Sequence, residues 1–337
     1  MGRNRRNDKN TRNRVRAFLL FVLAILLTVC PLTACRSHTE PEQIYLVSAM
    51  GFDRAESGIR VTVEIAMAEN SKTEGANSAI CFSQTGEDVL SALEKMTDGL
   101  PRALVFSHCA LAVMGKDLTK AQMQEIFAFA GVEDGLPLAA EVVVSQNAEA
   151  LLRGERLSAI AAGYEIPQIL EQERARCGAE LPCQIYRLRA VFSPDLPVAL
   201  PRFDRIDGEM PTARFVGVDI LRPDAPTYSL NASDCLPHAI LTSTCNGGVE
   251  SGIWWRVIRE KWEPSEQGTL TLVLHLRMEG GEPQERDALA AELKRSIEAL
   301  YQRVTEETEA DLFWLGQRMG EAQWSRETAL TVKCEVE

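Results

Sequence analysis

Leu270-Thr-Leu-Val-Leu-His-Leu-Arg-Met278 carries an apolar residue at every second position. That is the period of a strand with one buried face. Downstream, Leu289, Leu293, Ile297, Leu300, Tyr301 and Val304 recur at helical spacing and make an apolar stripe. Leu330, Val332, Cys334 and Val336 then return to period two. Two such strands with one long amphipathic helix between them predict a shared sheet, strands 269–278 and 328–336, covered on one face by helix 284–308. Val216, Val218 and Ile220 add a further alternating run. Residues 215–337 are therefore expected to form a mostly antiparallel sheet with one long helix.

Upstream, strands and helices alternate. Ile44 to Met50 reads as a strand, Asp53 to Gly58 as a turn, and Ile59, Val61, Val63, Ile65 and Met67 as the half-buried second strand of a hairpin. Thr85-x-x-Asp88 resembles a capping box before a helix bearing Val89, Leu90, Leu93 and Met96, stopped by Gly99 and Pro101. Ala103 to Met114 is an apolar run broken only by Ser107 and His108, as in a strand covered on both faces. Met123, Ile126, Phe127 and Ala130 mark another helix, and Glu141-Val-Val-Val-Ser another strand. Pro194, Pro197, Pro201 and Pro211 with Gly208 give 193–214 the composition of a linker. The fold class is α+β and multi-domain: a mixed sheet with helices over 44–200, in one or two subdomains, then the 215–337 region.

Residues 1–34 read as a secretory leader. Arg3, Arg5, Arg6, Lys9, Arg12, Arg14 and Arg16 form a basic head, and the apolar run from Ala17 is too short to span a bilayer comfortably. The leader ends Leu32-Thr-Ala-Cys35, which is similar to the lipobox of bacterial lipoproteins. Cys35, and not Cys30, has the Leu-x-Ala spacing, so Cys35 is the expected lipidation site and new N-terminus, with 35–43 as a tether. Losing seven basic residues and one acidic residue takes the formal charge from −12 to −18. An acidic surface of that size is repelled by phosphate backbones and anionic headgroups, which argues against nucleic acid as a partner and against polybasic docking to the membrane.

Seven further cysteines, Cys81, Cys109, Cys177, Cys183, Cys235, Cys245 and Cys334, are too scattered for a disulfide framework. Cys109 and Cys334 read as small core residues; Cys177 with Cys183, and Cys235 with Cys245, have spacings that would close short loops. No Cys-x-x-Cys occurs and the four histidines lie far apart, so no metal site is expected and no cofactor beyond the lipid on Cys35. There is no nucleophile elbow, P-loop, dinucleotide fingerprint or zincin motif. His108 beside Cys109 invites a base–nucleophile reading, but neighbours on a strand face opposite ways, so His108 is expected to be partly buried and satisfied. His275 falls on the polar face of its strand. Glu306-Glu-Thr-Glu309 reads as a solvated helix face. Of adjacent Trp254 and Trp255, one is expected in the core. No catalytic set is assigned.

The order of these segments resembles the Ger(x)C spore germination lipoproteins, the C subunits of nutrient germinant receptors. The resemblance rests on the lipobox, on Met50-Gly-Phe-Asp53 followed by a turn and Ile59-Arg-Val-Thr-Val-Glu-Ile, and on Phe106-Ser-His-Cys-Ala-Leu-Ala-Val-Met-Gly115-Lys. It rests also on Glu309-Ala-Asp311-Leu-Phe-Trp-Leu-Gly316 ahead of Trp324. Residues 222–250 match the family's pattern poorly. The resemblance implies a non-enzymatic receptor component, held by its lipid on the outer face of the cytoplasmic membrane (the spore inner membrane), beside A-type and B-type membrane subunits. Asp53, His108, Asp311 and Gly316 are the pattern positions it carries over, with structural roles: Asp53 in the tight turn after its strand, Gly316 in a positive-φ helix end. A solute-binding lipoprotein of a transporter is the competing expectation.

Overall fold

The computed structural model describes residues 18–20, 43–67, 79–132, 135–154, 160–178, 181, 183–191, 198–206, 212–222, 225–265, 269–308, 310–316, 325 and 327–337. Two compact units emerge, Met1–Ile44 and Tyr45–Glu337. Of the first, residues 18–20 are helical; everything below concerns the second. The architecture is α+β, with two sheets.

The larger sheet has the order β3-β2-β1-β5-β6-β7-β8-β9, with a short β4 also pairing β1. Its strands are β1 (Ile44–Arg54), β2 (Ile59–Ala66), β3 (Ala79–Gly86), β4 (Ala103–Val105), β5 (Leu111–Gly115), β6 (Glu141–Ser145), β7 (Val198–Ile206), β8 (Thr212–Arg222) and β9 (Ala225–Asn231). The expected hairpin is present: β1 and β2 are antiparallel across a turn closed by Ala55 N–H donating to Gly58 O, with Gly58 at φ 87°. β1, β5 and β6 run parallel, joined through helices, as crossover connections require.

Helices α1 (Val89–Thr97) and α2 (Lys120–Phe129) each begin with a capping box, Asp88 with Ser91 and Thr119 with Gln122. The first thus starts one turn later than the Thr85 signal suggested, because Thr85 still belongs to β3. Its buried face is Val89, Ala92, Leu93 and Met96; Leu90 lies outward. Residues 103–114 are not one strand. Cys109 N–H donates to Phe106 O at 2.8 Å, and this turn separates β4 from β5. The polar pair Ser107 and His108 marks a reversal, and not one face of a covered strand.

The proline-rich 193–214 segment also differs from expectation. Its described parts belong to β7 and β8, which pair antiparallel and carry the large sheet onward. Val218 and Ile220 are thus core residues of the first sheet, and the composition break does not separate two sheets.

The second sheet is four-stranded, β10 (Gly247–Glu250), β11 (Ile253–Pro264), β12 (Thr269–Glu279) and β13 (Ala329–Val336). Strand β12 pairs parallel with β13 from Thr269↔Ala329 to Leu276↔Val336. Between them runs α7 (Pro283–Glu307), opened by Pro283 at its first turn and a Glu282/Glu285 capping box. Its stripe, Leu289, Leu293, Ile297, Leu300, Tyr301 and Val304, is buried in one cluster with Leu270, Leu272, Leu274 and Leu276. Glu298 of the same helix accepts from Val332 N–H of β13 at 2.8 Å. Strand β12 and its helix are where the alternating leucines put them. The remaining helices are α3 (Ala148–Arg153), α4 (Ala162–Cys177), α5 (Ile185–Val191) and α6 (Cys235–Leu241).

Candidate functional site

Asp53 sits at the end of β1, but its carboxylate does not serve the adjacent turn. Oδ1 accepts from Ala148 N–H and Oδ2 from Glu149 N–H, each at 2.8 Å, so it holds the N-terminus of α3, 95 residues away in sequence. Free N–H groups and the helix dipole make this the natural seat for a carboxylate. Burial raises the Asp53 pKa above the usual carboxylate value, although the two backbone hydrogen bonds oppose this. Gly115, the terminal glycine of the 106–116 pattern, keeps the space open: a Cβ there would lie 2.4 Å from Asp53 Oδ1.

Glu64 repeats the device one strand over. It is fully buried, with Oε1 accepting from Ala162 N–H at 2.8 Å and Oε2 from Gly163 N–H at 2.9 Å and Ser48 Oγ at 2.8 Å. The N-terminus of α4 has no side-chain cap of its own; Glu64 takes that part. Gly163 is required by the approach, since a Cβ would stand 2.2 Å from Ser48 O.

The register explains both contacts. Ala49, Gly51 and Asp53 pair with Glu64, Thr62 and Arg60, so all six share one face of the sheet. The period-two reading made Thr62 and Glu64 the solvent row of a half-buried strand, yet both are buried. The signal in the sequence was the Glu within Val63-Glu64-Ile65, a charge in a run that is apolar on both sides. Around α3, Glu149 joins Ser83 Oγ (2.8 Å), Arg60 (3.0 Å) and Arg153 (2.8 Å), partly exposed pairs that contribute little individually.

His108 is exposed in its turn, not partly buried, and Cys109 is 2 % exposed. Burial pushes the Cys109 thiol up to about 12, which removes the thiolate a nucleophile needs. Asp311 and Gly316 do meet: Asp311 Oδ2 accepts from Gly316 N–H at 2.6 Å and Oδ1 from Phe313 N–H at 3.2 Å. The positive φ in this segment belongs to Trp314 (56°), not to Gly316. The clamped turn drives Leu312, Phe313 and Leu315 into the core, with Phe313 stacked on Tyr301 of α7 at 5.9 Å. Cys35, Cys30 and Trp324 lie outside the described residues. Trp255 is buried and Trp254 is 67 % exposed, the division the pair suggested. Cys183, Cys235 and Cys245 are free thiols, so neither short loop is closed by a disulfide.

His238 of α6 was not singled out by the sequence. It is buried against Phe313 at 6.1 Å, and neither ring nitrogen has a hydrogen-bond partner among the described residues. Burial lowers its pKa from 6.5 to about 4, opposed by the charge of Asp234. The unfolded chain therefore binds this proton more readily than the folded one. The contribution is complete above pH 6.5 and is lost as the pH falls toward 4, worth about 3 kcal/mol in all. Urea titrations at pH 7 and pH 4.5 should show this loss in the parent and a smaller one in His238→Leu. Equal losses in both would exclude His238 as its source.

Among the described residues no group of three or more His, Cys, Asp or Glu side chains is placed to hold a metal ion, and no helix is long and apolar enough to cross a membrane. The chemistry of Asp53, Glu64 and Asp311 is acceptance of backbone N–H groups, which fixes helices and a turn. Comparison with known proteins finds no matching curated protein and no matching solved structure. Residues 37–192, the region that contains Asp53, Glu64, His108 and Gly115, match the family of spore germination protein N-terminal domains.

Proposed function

We propose that this chain is the lipid-anchored, non-catalytic C subunit of a spore nutrient germinant receptor, working by contact with A-type and B-type membrane subunits on the outer face of the cytoplasmic membrane. The observation that carries the reading is the germination domain match beginning at residue 37, two positions after the cysteine of Leu32-Thr-Ala-Cys35. Two acyl chains hold a protein on a bilayer where one does not. Confinement to the surface its partners span raises their effective concentration, so modest contacts suffice to keep a complex together.

Mass spectrometry of the mature protein should find a diacylglyceryl group on Cys35, and Cys35→Ala should move the protein from the membrane to the soluble fraction. Pull-down from spore membranes should recover A-type and B-type receptor subunits, and deletion should abolish one nutrient response while leaving germination by unrelated triggers intact. An unmodified Cys35, or a pull-down that recovers transporter permeases in place of receptor subunits, would refute it.

A further inference from the structure

The cleft that carries a further inference lies between α4 and the outer face of β10, β11 and β12. Its volume is about 620 Å³, and Arg174, Gly178, Gly247, Trp254, Arg256 and Arg277 line it together with Glu171 and Glu279. Gly178 ends α4 at φ 57° and its carbonyl accepts from Asn246 N–H at 3.0 Å. A Cβ on Gly178 would coincide with Gly247 O, so backbone meets backbone here and fixes one wall against the other.

The register sorts the charges. Arg256 stands directly opposite Arg277 across the β11–β12 ladder, and Trp254 opposite Glu279, so the four make one patch on one face. On β10, Gly247 is opposite Arg256 and offers no side chain to cover it. Arginines facing each other across a ladder repel, and such a pairing destabilises a sheet. What neutralises them is sparse. Glu279 lies beside Trp254, and Glu337 approaches Arg277 only to 3.9 Å, both side chains being about 60 % exposed. The third arginine is committed elsewhere: Arg174 donates to Glu141 at 2.7 Å and to Leu181 O at 3.1 Å, and approaches Glu171 at 3.4 Å. Glu171 and the carbonyl end of α4 are thereby offset by arginines of the last helical turn. Among the described residues Arg256 thus has no ion-pair partner and Arg277 only the distant Glu337, and the two stand side by side in a chain of formal charge −12, next to a tryptophan that is 67 % exposed.

We propose that this cleft binds a small oxyanion, a carboxylate or phosphate group, which Arg256 and Arg277 clamp together while the Trp254 ring packs against the body that carries it. A planar guanidinium matches either group with two parallel N–H donors, and two such groups on one anion convert the cross-strand repulsion into attraction. The anion has two possible sources, a free small acid or inorganic phosphate in solution, or the phosphate of a lipid headgroup. The proposal stands independently of the receptor reading.

Full-length protein in non-ionic detergent, titrated with sodium phosphate or sodium succinate at constant ionic strength against chloride, should show a saturable change in tryptophan emission at millimolar concentration. Trp254→Phe should abolish the change. Arg256→Gln and Arg277→Gln should each weaken binding about tenfold or more, with Arg277→Lys recovering part of it. Melting in chloride alone separates binding from folding. Arg277→Gln should melt no lower than the parent, because repulsion is relieved, yet lose the anion-induced rise in Tm. Phosphatidylcholine vesicles with and without phosphatidylglycerol identify the source: a response to vesicles, strongest where no choline neutralises the phosphate, without a response to free anions assigns the lipid phosphate, and a response to free anions assigns a soluble ligand. No saturable response to any of these probes, or a glutamine variant that melts lower but responds like the parent, would overturn the proposal.

Discussion

Leu293→Asp is expected to unfold the second sheet. Leu293 is 4 % exposed at the middle of α7, in the cluster it shares with the β12 leucines and with Val332 of β13. Removing a buried leucine down to alanine already costs roughly 2–5 kcal/mol. An aspartate adds a charge with no partner in that environment, so the total reaches about 5 kcal/mol or more, comparable with the whole stability of a typical domain. Circular dichroism and urea titration should show loss of the cooperative transition for this region. Glu292→Ala on the exposed face of the same helix should stay within about 0.5 kcal/mol of the parent. A Leu293→Asp protein that melts cooperatively near the parent temperature would mean that the helix does not hold this sheet together.

Glu64→Ala should be nearly as damaging, for a polar reason. The change strands two donors, Ala162 N–H and Gly163 N–H, in a buried place, and leaves Ser48 Oγ only the Glu64 carbonyl at 3.2 Å. Each unsatisfied buried donor costs about 1–3 kcal/mol, so a total of about 4 kcal/mol is expected. Glu64→Gln keeps one acceptor oxygen and should fall between the two. Hydrogen exchange gives the local readout, since the amides of Ala162 and Gly163 should lose protection before the rest of α4 does. Unchanged exchange at those amides in Glu64→Ala would show that the carboxylate is not what holds the helix end.

The parts of this fold that were legible in the sequence are those where one periodicity has one structural meaning. The alternating leucines of 270–276 and the stripe from Leu289 to Val304 gave β12, α7 and their common core. The parts that were not legible are those where a rule has an exception set by neighbours. Pro201 argued for a linker, yet β6 meets β7 in register only at Val144↔Arg202, so β7 is nearly an edge strand there and tolerates a missing N–H. Polar residues alternating on β2 argued for solvent on that side, yet the side is covered by the starts of α3 and α4. Ser107 and His108 inside an apolar run are equally compatible with a covered strand and with a turn, and only the Phe106–Cys109 hydrogen bond decides. Of the pattern positions, Asp53 and Asp311 prove to be side-chain caps whose partners lie far along the chain or five residues on. Glu64, which does the same work at greater depth, had no distinguishing spacing.

The parallel β12–β13 pair also dictates the order in which the molecule can be made. A parallel neighbour cannot be delivered by a tight turn, so β13 reaches its place only after α7 and the 311–316 turn have emerged and docked. Until then β12 offers an unpaired backbone edge from Thr269 to Leu276 and α7 lacks its strand partner at Val332. Chains whose synthesis stops before residue 329 are thus left with a leucine-rich open edge, the form most prone to associate with copies of itself or to be taken by a protease. Pairing of β13 closes that edge and supplies the Val332 N–H that Glu298 of α7 accepts.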